Sequence, residues 1–131
     1  YLASHVTTLF VAITVVAGIL TTGSGPHAGD ALTPRNGLDT ELLQHVHSWP
    51  AYFALGLTLV LVIGALLKGL PRRWVVLLLS SEIVQIAVGL AQAQTGLPPL
   101  LVDIHMVLAA CLVAAMTATV LAQKSNKAGS S

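Results

Sequence analysis

Residues 47–67 read HSWPAYFALGLTLVLVIGALL, with no charged side chain over the whole stretch. A helix needs about 20 apolar residues to cross the hydrocarbon of a bilayer, and there the backbone has no hydrogen-bond partner but itself. The stretch is therefore expected to be a transmembrane helix. Working outward, comparable segments recur at about 3–22, 74–94 and 100–122. Of the 131 residues 55% are hydrophobic and 8% charged, against roughly 25% charged in a soluble domain, and the mean hydropathy is +0.84. Four spans with short connections use up the length and leave no room for an aqueous catalytic domain. The expected fold is an all-α integral membrane protein, an up-down four-helix transmembrane bundle over 1–123 with an outer loop at 23–46 and a disordered tail at 124–131.

The connections orient the bundle. Lys68, Arg72 and Arg73 lie in the turn between the second and third spans, Lys124 and Lys127 follow the fourth, and only Arg35 falls in the long first loop. Basic residues mark the cytoplasmic side, so both termini are expected inside and the first loop, with Asp30, Asp39 and Glu41, outside. A net charge of +1 with no basic tract argues against nucleic acid as a partner. The one cysteine, Cys111, sits in an apolar run and has no intrachain partner. Tyr1 stands where an initiator methionine would, so the chain is expected to be a piece of a longer protein.

Polar residues are costly in lipid, which makes each one in a span a candidate for function. His47 opens the second span and His105 lies near the start of the fourth. Both spans run from outside to inside, so the two imidazoles stand at similar depth on helices that lie diagonally across an up-down bundle. Ala51 and Ala109 follow them by four residues, on the same helical faces, and small residues there leave room for a flat macrocycle. Bis-histidine ligation of a haem iron fits this arrangement. The alternative makes each histidine an interfacial cap on a loop carbonyl. His45, two residues from His47, points away from it and is assigned to the loop. His5, near the inner end of the first span, reads as an interfacial residue.

Two further features accompany the pair. The loop from Thr21 to Asp30 places Gly23, Gly25 and Gly29 close together and presents His27 and Asp30 at the outer surface. It reads either as a connection or as a clamp on a cofactor's propionates, with His27 or Arg35 as the cation. It lacks the Lys-Ser/Thr ending of a phosphate loop. In the third span Ser81, Glu82, Gln85, Gly89 and Gln92 form a polar stripe, of which Gln85, Gly89 and Gln92 share one face. Such a stripe either joins helices by hydrogen bonds, the reading preferred here, or lines a pocket. Glu82 is expected near the inner end, paired with Lys68, Arg72 or Arg73 and roughly 15 to 20 Å from the histidine layer.

With these residues in view, the chain resembles the C-terminal half of the haem A synthase family, membrane enzymes that convert haem O to haem A for cytochrome oxidase. The likeness rests on Thr-Gly-Ser-Gly-Pro-His-x-Gly-Asp at Thr22 to Asp30 with Pro34-Arg35 after it, and on the histidine-bearing helix start from Glu41 to His47. It rests also on Gln85, Gly89, Gln92, Gly96 and Pro98 in and after the third span, and on Leu101, Val102, His105, Ala109 and Ala110 in the fourth. The resemblance implies one half of an eight-helix, two-fold pseudo-symmetric enzyme of the bacterial cytoplasmic membrane. It places the axial ligands of a haem b on His47 and His105, with Ala51, Ala109, His27, Arg35, Gln85 and Gln92 around it. The N-terminal half is then the partner, holding the haem O substrate, whose methyl group becomes a formyl group, and the catalytic carboxylate. Ala93 departs from the family, where many relatives carry an aromatic after the second glutamine.

Three functional expectations follow: a haem-binding half of an oxidoreductase, inactive by itself; a stand-alone bis-histidine electron-transfer cytochrome; or a membrane assembly protein without a cofactor. The orientation is open to direct measurement. In a chain whose Cys111 is replaced by alanine, a cysteine introduced at Asp39 is expected to react with an impermeant thiol reagent in intact cells and one at Lys127 to be spared. The reverse pattern overturns the topology.

Overall fold

The computed structural model describes residues 2–25, 32, 34–68 and 72–128. Among them the regular structure is four helices: α1 (Leu2–Ser24), α2 (Thr40–Lys68), α3 (Arg72–Gln94) and α4 (Pro99–Ala128). All four are long and apolar enough to cross a membrane. α2 starts at Thr40, well before His47, because Asp39 caps it: its Oδ1 accepts from the backbone N–H of Glu41 at 2.9 Å and of Leu42 at 3.1 Å. His45 is therefore helical and exposed, which corrects its assignment to the loop. α4 runs on through residues 124–128, where the composition predicts a disordered tail. That stretch holds no glycine or proline, and lysines suit the C-terminal end of a helix dipole.

The connection between α1 and α2 is tied down at both helix ends. Asn36 closes the C-terminus of α1, its Nδ2 donating to the Leu20 carbonyl at 2.8 Å and its backbone N–H to that of Gly23 at 3.1 Å. Thr40 Oγ1 donates to the Ser24 carbonyl at 3.1 Å. At the same end of the bundle α3 stops at Gly96, whose φ of +80° places it in the left-handed region that glycine adopts freely. The N–H of Leu97 then bonds back to the Gln92 carbonyl at 2.8 Å, a Schellman closure. Pro99 starts α4 at the position where a missing N–H costs nothing.

The helices pack as a ring, α1 most closely on α2 and α3 on α4, with no Cα approach within 8 Å across either diagonal. Inward-facing residues recur at alternating steps of three and four, as Ser4, Thr7, Val11 and Thr14 in α1 and Val75, Leu78 and Glu82 in α3. The apolar centre is Val11, Ala54, Leu78, Leu112, Ala115 and Met116, and a smaller cluster of Leu61, Ala65 and Val75 lies toward the end that carries the chain termini. Phe10 stacks on Phe53 with ring centroids 5.5 Å apart. The polarity is reversed relative to a soluble bundle: Ser4, Thr7, Thr58 and Thr119 are fully buried, whereas Leu20, Val60, Ile63, Val76 and Leu121 face outward.

Because lipid is as apolar as a leucine side chain, burial here stabilises through packing rather than transfer out of water. Leu78→Ala is therefore expected to cost about 1–3 kcal/mol in detergent unfolding, the lower part of the range for core leucines. The same change at exposed Leu77 should cost close to nothing.

Candidate functional site: a histidine pair across the bundle

His47 of α2 and His105 of α4 meet inside the ring, their centroids 6.2 Å apart and their planes at 79°. They bridge the diagonal that the backbones leave open. The register follows from the topology, since α2 and α4 both start at the end closed by Asn36 and Gly96.

Each imidazole lies on a glycine of the preceding helix. A Cβ on Gly18 of α1 would stand 2.9 Å from His47 Cε1, and one on Gly89 of α3 would stand 3.0 Å from His105 Cε1. The first approach is one that real Cβ atoms essentially never make and the second is tighter than nearly all they do make, so glycine gives the rings their room. Gly89 was singled out in the sequence as part of the polar stripe. Gly18 was not, although it falls on the inward stripe of α1 four residues after Thr14. Ala51 and Ala109 are half-buried.

His47 is oriented from behind. Its Nδ1 is 2.8 Å from the main-chain carbonyl of Thr14. A carbonyl only accepts, so Nδ1 carries the hydrogen, and Nε2 is the nitrogen left to meet another partner. That is the pattern of a metal-binding histidine held by its other nitrogen. The carbonyl belongs to the interior of α1 and not to a loop, which removes the cap reading for His47. On the other side, Gln85 Nε2 donates to the main-chain carbonyl of His105 at 3.1 Å, joining α3 to α4. His105 Nδ1, Gln85 Oε1 and Gln92 Oε1 are buried with no hydrogen-bond partner. The stripe thus joins helices and also lines the site. Ser81 takes no part, its hydroxyl donating to the Leu77 carbonyl of its own helix at 2.9 Å.

Glu82 departs from expectation. It lies at the middle of α3, 4% exposed, and accepts from Thr58 Oγ1 at 2.9 Å. Arg72 and Arg73 are ten and nine residues away along the same helix, roughly 15 and 13.5 Å of rise, and are exposed, so neither forms the expected ion pair with it, and the Lys68 side chain lies outside the described residues. Arg35 is exposed in the loop between α1 and α2. His27 and Asp30 lie outside the described residues. Two surface grooves are lined by other residues, one by His5, Thr8 and Thr117 toward the end that carries the chain termini and one by Ala12, Val16 and Val46.

Among the described residues no group of three or more His, Cys, Asp or Glu converges, so a bare ion would find two ligands where a tetrahedral zinc site needs four. A planar group that brings its own equatorial nitrogens needs only two. With a histidine nitrogen about 2.0–2.1 Å from its metal and the ring centroid roughly 1.2 Å behind it, trans imidazoles have centroids about 6.4 Å apart. The observed 6.2 Å is close to that distance. The residues fit a haem.

Comparison with protein families, with curated proteins and with solved structures finds no match.

The glycine cradle has a measurable consequence. Gly18→Ala and Gly89→Ala push a methyl group into an imidazole and are each expected to destabilise the bundle by about 1–3 kcal/mol. Gly56→Ala, with nothing within 4 Å of its Cβ, should instead be neutral or gain up to about 1 kcal/mol from helix propensity. Equal effects at the three positions, read by thermal or detergent unfolding, would remove the special status of the first two.

Proposed function

We propose that this chain is the haem b-binding half of a membrane oxidoreductase of the haem A synthase type, with His47 and His105 as the axial ligands. The observation that carries the reading is the histidine pair itself, two imidazoles 6.2 Å apart across the open diagonal of the bundle. The Thr14 carbonyl orients His47, Gly18 and Gly89 give both rings room, and Gln85 fixes the backbone at His105. When bound, the haem supplies one-electron redox chemistry. The residues of this chain hold and orient it and keep water from it by packing α1 to α4 around it. The partner is an N-terminal four-helix half that holds haem O, the substrate of the whole enzyme, and the lipid bilayer is the surrounding medium. A stand-alone electron-transfer cytochrome is the second reading, favoured by the two histidines facing one another, which leaves no iron position for a substrate.

The purified chain is expected to give a reduced-minus-oxidised haem b spectrum. His47→Ala and His105→Ala should each weaken haem retention by at least about tenfold, the scale on which ligand shells act, while exposed His45→Ala leaves the spectrum unchanged. Loss of haem in His45→Ala with retention in His47→Ala would overturn the ligand assignment. Incubation with haem O and no partner half should yield no haem A, and its appearance would refute the division between halves.

A further inference from the structure

The α3 stripe that lines the histidine site continues inward to a carboxyl group. Glu82 is 4% exposed. Its Oε1 is held by Thr58, and its Oε2 is buried without a hydrogen-bond partner. Glu82, Gln85, Gly89 and Gln92 follow at steps of three, four and three, and so stand on one helix face. Glu82 is one turn from Gln85, about 4.5 Å of rise, and Gln85 is bonded to the main chain of His105. The His105 ring lies against Gly89, seven residues and so roughly 10.5 Å of rise from Glu82, which is nearer than the expected place of the carboxyl group.

Among the described residues five buried side-chain atoms lack a partner, and four of them, on Glu82, Gln85, Gln92 and His105, lie along this face. The fifth, Gln123 Nε2, is at the inner end. Buried polar atoms are as a rule satisfied, and by ordered water where the protein does not do it. A line of them beside an ionisable group inside a membrane bundle is the arrangement of a proton relay. Among the described residues no charged side chain faces Glu82. α2 presents Thr58, and the interior near it is filled by Val11, Leu112 and Met116 of α1 and α4. His47 and His105 are the other titratable groups of the interior, while Arg72, Arg73 and Asp103 are exposed.

Charge placed in a low-dielectric interior is costly unless an opposite charge arrives with it. We propose that Glu82 is a proton-binding site coupled to the haem held by His47 and His105, an inference that rests on the haem reading above. Glu82 binds one proton at Oε2, taken from water along the Gln85 face, for each electron that a one-electron donor delivers to the haem. It releases that proton when the electron leaves. The carboxylate becomes a carboxylic acid, one O–H bond forms, and the net charge of the interior stays constant.

The experiment is spectroelectrochemical titration of the full haem-loaded chain in lipid nanodiscs. In the wild type the midpoint potential is expected to fall by about 59 mV per pH unit, the tenfold constant for a one-electron couple, over about two units. Glu82→Gln should flatten the slope and keep the absorption spectrum, whereas Asp103→Asn, at an exposed carboxylate of α4, should keep the slope. A redox-difference infrared spectrum of the wild type gives a second readout that needs no folded Glu82 variant. A carboxylic C=O band should appear on reduction and shift in Thr58→Val, which removes only the hydrogen bond to Oε1. A potential independent of pH, a slope that survives Glu82→Gln, or no such band would overturn the proposal and leave the haem reading standing. A wild-type chain that takes up no haem overturns the haem reading, and this inference with it.

Discussion

A bilayer offers hydrogen-bonding groups no partner, and the rest of this architecture depends on that constraint. Helices satisfy the backbone internally. Side-chain hydroxyls on or near the lipid surface follow the same rule locally, with Thr8 donating to the Ser4 carbonyl, Thr22 to Gly18 and Thr117 to Val113, each one turn back on its own helix. Where a polar group is turned inward it finds a neighbouring helix instead, as Ser4 finds Gln123 and Thr58 finds Glu82. Helix ends are closed by side chains suited to the task, Asp39 before α2 and Asn36 after α1.

The same constraint explains why the interior is more polar than the surface. Apolar side chains gain nothing by leaving lipid, so helices associate through close packing and interhelical hydrogen bonds. Glycine serves the first in a particular way here, because each hairpin repeats one contact: a glycine on the rising helix against a histidine on the returning one, Gly18 with His47 and Gly89 with His105. The two hairpins thereby deliver their imidazoles to a common centre from opposite sides. The proposed haem site and the proposed proton site are consequences of this single layout, since the α3 face that carries Gly89 also carries Gln85 and Glu82.

Much of this was legible in the sequence. Four runs of spanning length with at most one charged residue each leave the hydrocarbon-crossing helix as the only local solution, and the connections force neighbours to run antiparallel. Parity then places the starts of the second and fourth helices, with His47 and His105, at one end. Helical period alone puts Gln85, Gly89 and Gln92 on a shared face. What the window of hydropathy could not locate were the ends of α2 and α4, because Glu41, Gln44 and His45, and the run from Lys124 to Ala128, are helical without being apolar.

The remainder belongs to the tertiary structure. Periodicity states which residues of one helix stand together but not which residue of another helix they meet. That second fact depends on the rotation and offset of whole helices, set by all their contacts at once. The Thr14 carbonyl behind His47, the place of Gly18 beneath the same ring, and the pairing of Glu82 with Thr58 in place of Arg72 are of this kind. The sequence by itself determined how many helices there are, their alternating direction and that both histidines stand at one end of the bundle. Only the packed bundle decided that the two imidazoles face each other, because that distance is a property of two helices which touch in neither sequence nor backbone.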